Sequence, residues 1–218
     1  MQQKLHMIML GATPKGRLTE QHDIFFGIAA SLKELVPQMK AFWPDTQLHI
    51  DAWREVTFVD GFRVEVIFRQ ADAVAEAEAM AEAEAMAEAE AEAEAGAGAV
   101  AGADLDADAE NHLFFINLGG YRQGEFEEYH YKVLSVAQTM AAASKVAKST
   151  TFYKHFGFKG AESHIDDKYG IDVDDIYRVS DILPSDTKQQ FSLKFTRSEA
   201  PEDELHIGYV RLEKLLKS

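Results

Sequence analysis

The apolar positions of this chain come in short blocks punctuated by glycine, proline and aspartate. The first block, Leu5-His-Met-Ile-Met-Leu10, runs into Gly11-Ala-Thr-Pro-Lys-Gly16. A short apolar run ended by Gly/Pro turn chemistry predicts a strand entering a loop. The next block permits two readings. Ile24, Ile28, Leu32, Leu35 and Met39 recur at helical spacing, but Pro37 inside one long helix would cost about 3 kcal/mol. Ser31-Leu-Lys-Glu34 is also a capping box, the signature of a helix beginning at Ser31. The pattern therefore predicts a strand over 22–30, paired with the first through the loop. A helix follows from Ser31 to about Phe42, kinked or restarted near Pro37. Strands over 47–53 and 62–68 come next, joined across a turn at Asp60-Gly61.

The same blocks then return. Gly11-x4-Gly16-x3-Glu20-x-His22 recurs as Gly119-x4-Gly124-x3-Glu128-x-His130, a constant offset of 108 (119 − 11 and 130 − 22 alike). Further on, His49-Ile50-Asp51 recurs as His164-Ile165-Asp166, and Phe62-Arg63-Val64 as Tyr177-Arg178-Val179, at an offset of 115 (164 − 49). Self-similarity at this scale marks a duplicated unit. The second copy is expected to hold strands over 113–118 and 129–137, then a helix over 139–155 with Thr139 at its N-cap. Met140, Ala143, Ala147 and Thr151 form the apolar face of that helix. Strands over 162–167 and 176–183 complete the unit, and two more, 191–196 and 206–212, extend it. The last can end in a short helix through Leu215 and Leu216.

The expected fold is α+β: two tandem β-β-α-β-β repeats related by a pseudo-twofold, with mainly antiparallel sheet and helices on one face. The first repeat spans 1–70. An Ala/Glu-rich linker spans 71–110, and the second repeat with its C-terminal strand extension spans 111–218. The sheet face that no helix covers has to be buried elsewhere, so the repeats pack on each other or the chain forms a homodimer.

Charge changes the picture only between the repeats. The chain carries 37 acidic and 22 basic residues, a net charge of −15. Residues 71–110 hold 13 of the acidic side chains and no basic one, which leaves 24 against 22 elsewhere. A near-neutral body with an acidic insert argues against nucleic-acid binding. The insert alternates Ala and Glu, with Ala-Glu-Ala-Glu-Ala-Met given twice (75–80 and 81–86). Ala and Glu favour helix, but Glu at every second position sets like charges at i and i+4, and Gly96, Gly98 and Gly102 end it. The expectation is a self-repelling linker, partly helical at most, rather than an acidic interaction tract. The chain has no cysteine, which excludes disulfides, thiolate zinc ligands and a Cys nucleophile. No apolar run approaches the roughly 20 residues of a membrane span, so a soluble cytoplasmic protein is expected.

Longer motifs carry a resemblance. Leu-Gly-x-x-Pro-Lys-Gly-Arg, Glu-Gln-His-Asp, Lys-Ala-Phe-Trp-Pro and His-Ile-Asp-Ala-Trp-Arg in the first copy resemble a bacterial family of uncharacterised proteins, domain-of-unknown-function family 1543. So do Tyr-Lys-His-x-Gly-Phe-Lys-Gly and His-Ile-Asp-Asp-Lys-Tyr-Gly-Ile-Asp-Val-Asp-Asp in the second. The resemblance covers most of residues 4–68 and 112–212; the Ala/Glu insert lies outside it. It implies a bacterial, cytoplasmic domain present in one or two copies, and brings no activity, cofactor or catalytic residue.

The candidate chemistry is the polar set common to both copies: Glu20, His22, His49 and Asp51, matched by Glu128, His130, His164 and Asp166. Residues two apart on a strand share a face. If the Glu-x-His and His-x-Asp strands are neighbours, each copy assembles two imidazoles and two carboxylates. Such a set suits a divalent metal such as Zn²⁺ or Mn²⁺, or gives a His oriented by a carboxylate as general base. The competing structural reading, that each side chain only closes a turn, is favoured on sequence grounds. Three other motifs read as architecture. The glycine loop with Lys15 and Arg17 lacks the Lys-Ser/Thr of a phosphate-binding loop and reads as a hairpin. Lys154-His-Phe-Gly-Phe-Lys-Gly160 is a partial match to an RNA-binding consensus but reads as a helix end with core aromatics. The acidic stretch 166–175 lacks EF-hand spacing and reads as a solvated turn. The chain is thus expected to be a small binding or interaction module for a small ligand or protein. The alternative is a metal-dependent or His/carboxylate acid–base enzyme on a small polar substrate, and RNA binding is weaker still.

Overall fold

The computed structural model describes residues 2–69, 110–157, 163–165 and 176–217. The alternating Ala/Glu stretch, the end of the Lys154–Gly160 motif and the acidic stretch 166–175 lie outside the described residues. The first half begins with β1 (Lys4–Ala12) and β2 (Gln21–Ala29), antiparallel neighbours whose register runs from Lys4 opposite Ala29 to Ala12 opposite Gln21. The second strand and the helix therefore fall where capping and Pro37 place them. Helix α1 (Leu32–Phe42) starts after an extended Ser31. Glu34 accepts from the Ser31 hydroxyl at 3.3 Å and from the Ala30 backbone N–H at 3.2 Å. Pro37 does not interrupt the helix. Leu35, Val36 and Met39 are buried against Ile8, Leu10, Phe25 and Ile50, and burial of about 1.5–3 kcal/mol per large apolar side chain offsets the proline penalty.

Strands β3 (His49–Val56), β4 (Phe58–Val59) and β5 (Phe62–Phe68) complete this half. Asp60 and Gly61 both have positive φ, 51° and 80°. These are the angles of a type I′ hairpin turn, which Asp-Gly favours. The Asp60 carboxylate also accepts from the Val136 backbone N–H at 3.1 Å, tying this turn to the second half.

The second half repeats the opening with β6 (His112–Tyr121) and β7 (Glu128–Ala137). The helix expected over 139–155 divides into α2 (Met140–Ser149) and α3 (Thr151–His155). Thr150 causes the break: its hydroxyl donates to the Ala147 carbonyl at 2.7 Å and accepts from the Tyr153 N–H at 3.2 Å. Threonine side chains compete with the helix backbone in this way. Ala143 and Ala147 are buried as expected, whereas Met140 is half exposed. Strand β8 (His164–Ile165) and strand β9 (Ile176–Arg178) follow. The strand expected over 176–183 thus ends early, and Val179–Ile182 forms a helical turn, α4, with Val179 buried. Helix α5 (Ser185–Gln190), β10 (Phe191–Arg197), β11 (His206–Arg211) and α6 (Leu212–Lys217) end the chain.

The architecture is α+β with antiparallel sheets. One sheet has the order β11-β3-β1-β2, and a second joins β7 to β6, with β8 and β9 both on β6's other side. A small third sheet, β10-β5-β4, links the halves. Side-chain alternation along β1 explains the layers. Ile8, Leu10 and Ala12 face α1 and α6. Leu5 and Met7 face the other way, into a core shared with Leu113, Phe115 and Val136 of the second half. Phe26 meets Phe115 edge-on there, 5.5 Å between ring centres. Helices α2 and α3 cover the outer face of the β6 sheet through Phe114, Ile116 and Leu118.

The two openings share a register. Gly11 stands opposite His22 on one side and His49 on the other. Gly119 stands between His130 and His164 in the same way. The second sequence match behaves differently. Tyr177-Arg178 lies on β9, opposite Phe115 and Phe114, where the first half has Arg54-Glu55 opposite Met7 and His6. It is not the counterpart of Phe62-Arg63, which sits on β5 and pairs with β10. Phe62-Arg63-Val64 opens β5, whereas Tyr177-Arg178 closes β9 and Val179 begins α4.

Candidate functional site

Three strands meet at Gly11, and the site is built on it. His22 on β2 and His49 on β3 flank this glycine in one row across the sheet. Directly opposed residues share a face, so both imidazoles lean over the position that has no side chain. A Cβ placed on Gly11 would lie 2.4 Å from His49 Nε2 and 2.4 Å from Asp51 Oδ2. Only glycine leaves this space.

The carboxylates come from the same strands. Glu20 immediately precedes β2. Asp51 occupies an irregularity of β3, since Leu10 pairs with Ile50 but Met9 pairs with Ala52. Asp51, two residues after His49, shares the histidine face, and the bulge leaves it without a partner on β1. His49 Nε2 lies 2.8 Å from Glu20 Oε1 and 3.3 Å from Asp51 Oδ2. His22 Nε2 lies 3.2 Å from the same Asp51 Oδ2 and 3.7 Å from Glu20 Oε2. Four side chains expected on two separate strands therefore close into one ring of contacts.

Burial is uneven around the ring. The His49 side chain is 8% exposed and Asp51 21%, while His22 and Glu20 are each 43% exposed. The cluster thus has a closed side and a solvent side. His49 Nε2 and Asp51 Oδ2 are shut off from solvent, yet neither has a hydrogen-bonding partner. Their neighbours are close enough but do not lie in the bonding direction. Buried polar atoms in this condition are rare, and each leaves a desolvation cost of about 1–3 kcal/mol.

An ion on these atoms would meet that demand. Ligands about 2.0–2.1 Å from a tetrahedral zinc stand roughly 3.3 Å apart, and the four contacts bracket this spacing. Among the described residues no group of three or more His, Cys, Asp or Glu side chains stands where it could hold a metal ion as placed. Holding an ion requires Glu20 and His22 to move slightly outward, which their exposure permits. Two cavities of about 390 and 360 Å³ lie elsewhere, one beside Lys4 and Val56 and one between Phe25, Phe42 and Ile182.

The second set is only partly visible. Glu128 accepts from the Tyr121 hydroxyl at 2.7 Å, and His130 is exposed on β7. His164 holds the expected backbone register beside Gly119, while its side chain and Asp166 lie outside the described residues. The glycine loops are hairpins, as expected, and share a turn: Arg17 N–H to Pro14 O at 3.1 Å and Glu125 N–H to Arg122 O at 3.2 Å. Phe156 packs against Phe152, ring centres 4.4 Å apart, in keeping with a core aromatic.

Sequence reasoning missed two residues. Gly11 was a turn signal there, not the floor of a site; the clue was its place opposite a histidine in each copy. Tyr209 on β11 stacks over His49, ring centres 4.4 Å apart and planes inclined by 34°. It lies 160 positions along the chain (209 − 49), and no local pattern points to it.

Residues 17–66 match the model of a family described as Domain of Unknown Function (DUF1543). The match falls within the first half of the chain. That stretch contains Glu20, His22, His49 and Asp51. Among solved structures, the chain is similar to a protein Il1583 from Idiomarina loihiensis, at 20% identity over 96% of this chain and 97% of that chain, with a TM-score of 0.48. No curated protein matches the chain. Among the described residues no helix is long and apolar enough to cross a membrane.

Proposed function

We propose that the first half of this chain binds a divalent transition-metal ion, Zn²⁺ or Mn²⁺, through Glu20, His22, His49 and Asp51, and handles a small polar ligand there. The observation that carries this reading is the convergence of two imidazole nitrogens and two carboxylates around buried atoms without hydrogen bonds, His49 Nε2 and Asp51 Oδ2. Imidazole with carboxylate suits these ions. A bound ion would supply Lewis acidity, with the exposed Glu20–His22 side left for the ligand. The close approach of Glu-x-His and His-x-Asp favours this chemistry over a module whose histidines only close turns. The shared register at Gly11 and Gly119 supports reading the two halves as copies of one unit.

Elemental analysis of purified protein, with melting curves in Zn²⁺, Mn²⁺ and chelator, tests the proposal. An ion at 100 times its Kd adds about 2.7 kcal/mol, a rise of about 5–10 °C for a chain of this size. No bound metal and no shift would leave His49 as a carboxylate-oriented base at most.

A further inference from the structure

We infer that the ligand of this site carries an anionic oxygen group, a phosphate or a carboxylate, and that β11 supplies its binding wall through Arg211 and Tyr209. The inference rests on the proposed metal site only for the ion beside that wall. Arg211 stands directly opposite His49 in the β3–β11 pair. Opposed residues share a face, so the row across the sheet reads His22, Gly11, His49, Arg211. Arg211 is exposed and makes no ion pair with a described residue. A guanidinium presents a planar fork of donors that fits a carboxylate or phosphate.

Tyr209 reaches the same face through a second irregularity. Ile207 pairs with Ala52 and Val210 with Ile50, so Gly208 and Tyr209 stand opposite Asp51 alone. Gly208 has φ +144°, a conformation that other residues adopt only with strain. This bend lays the Tyr209 ring over His49, while the residue remains 60% exposed. Its hydroxyl is therefore available to a ligand while its ring holds His49 in place. Charge sets the sign of the ligand. Glu20 and Asp51 balance one divalent ion, and Arg211 adds a positive charge that forms no ion pair with a described residue. Lys15 and Arg17, in the exposed loop that leaves β1 beyond Gly11, add to the same potential.

Calorimetric titration of zinc-loaded protein with inorganic phosphate and with acetate tests this, the two anions separating phosphate from carboxylate preference. At least one should bind. Arg211→Gln should weaken that anion by tenfold or more while zinc affinity stays within twofold, and Tyr209→Phe should weaken it severalfold with the His49 ring-proton resonances unmoved. Binding of neither anion, or equal binding by Arg211→Gln, overturns the inference. The same titration in chelator separates it from the metal reading. Arg211-dependent anion binding in protein that takes up no zinc keeps the wall and removes the ion. Zinc binding with no anion binding does the reverse.

Discussion

Gly11→Ala separates the site from the fold that carries it. The added methyl would sit 2.4 Å from His49 Nε2 and Asp51 Oδ2, so both tips have to swing away. They are the far ends of side chains, and Asp51 is partly exposed, so the backbone need not move. Overpacking typically costs about 1–3 kcal/mol. Removing a glycine from a strand returns roughly 0.5–1 kcal/mol. The net loss should be about 1 kcal/mol, a fall of about 2–4 °C in melting temperature. Zinc affinity should fall much further, because one substitution displaces two ligand atoms at once. Losing even the groups that orient a ligand costs 10–100-fold, so the expected loss is at least about 100-fold. Thermal denaturation followed by circular dichroism and a competitive zinc titration give the two numbers. Unchanged zinc affinity in a folded Gly11→Ala protein would refute the packing of the cluster over Gly11.

Two further outcomes test the frame around the site. Asp203 has a side chain only 6% exposed and accepts from the Thr57 backbone N–H at 3.0 Å, the Thr57 hydroxyl at 2.5 Å and the Phe58 N–H at 3.2 Å. Arg54, 3.9 Å away, is held below the usual arginine range by burial, with Asp203 opposing that shift. Asp203→Ala leaves these donors without their acceptor and the half-buried Arg54 without its nearest carboxylate, and should destabilise the protein by about 2 kcal/mol, read as a shift in urea midpoint. His6, 1% exposed, has its pKa pushed below 6.5 by burial, against the opposing pull of Glu55. The unfolded chain then takes a proton that the folded chain refuses. This group's contribution is complete above about pH 6.5 and is lost as pH falls from there through the folded pKa. Urea midpoints from pH 8 to pH 5 should fall less steeply for His6→Gln than for the parent, and parallel curves would remove His6 from the account.

The fold was legible where a local rule decides the structure. Ser31 and Glu34 placed the first helix, Asp60-Gly61 placed a hairpin, and the Gly-x10-His spacing placed two matched hairpins. It was illegible where a side chain or a distant strand decides. Thr150 breaks its helix through two hydrogen bonds of one hydroxyl. The match of Phe62-Arg63-Val64 to Tyr177-Arg178-Val179 misled because pairing partners are not written in a tripeptide. The site followed the same division. Glu20, His22, His49 and Asp51 were readable as two strand pairs, but their meeting depends on β2 and β3 both flanking β1. Tyr209 and Arg211 depend on β11 crossing to the first half's sheet, a contact between opposite ends of the chain.

The central claim is an ion held by the first half's four side chains. Calorimetric titration of chelator-treated protein with zinc, repeated on His49→Gln and Asp51→Asn, addresses it directly. Saturable binding is expected in the parent, with at least 100-fold weaker binding in each variant and melting temperatures of the metal-free proteins within about 4 °C of one another. A parent that binds no zinc or manganese, or variants that bind zinc as tightly as the parent, would contradict it.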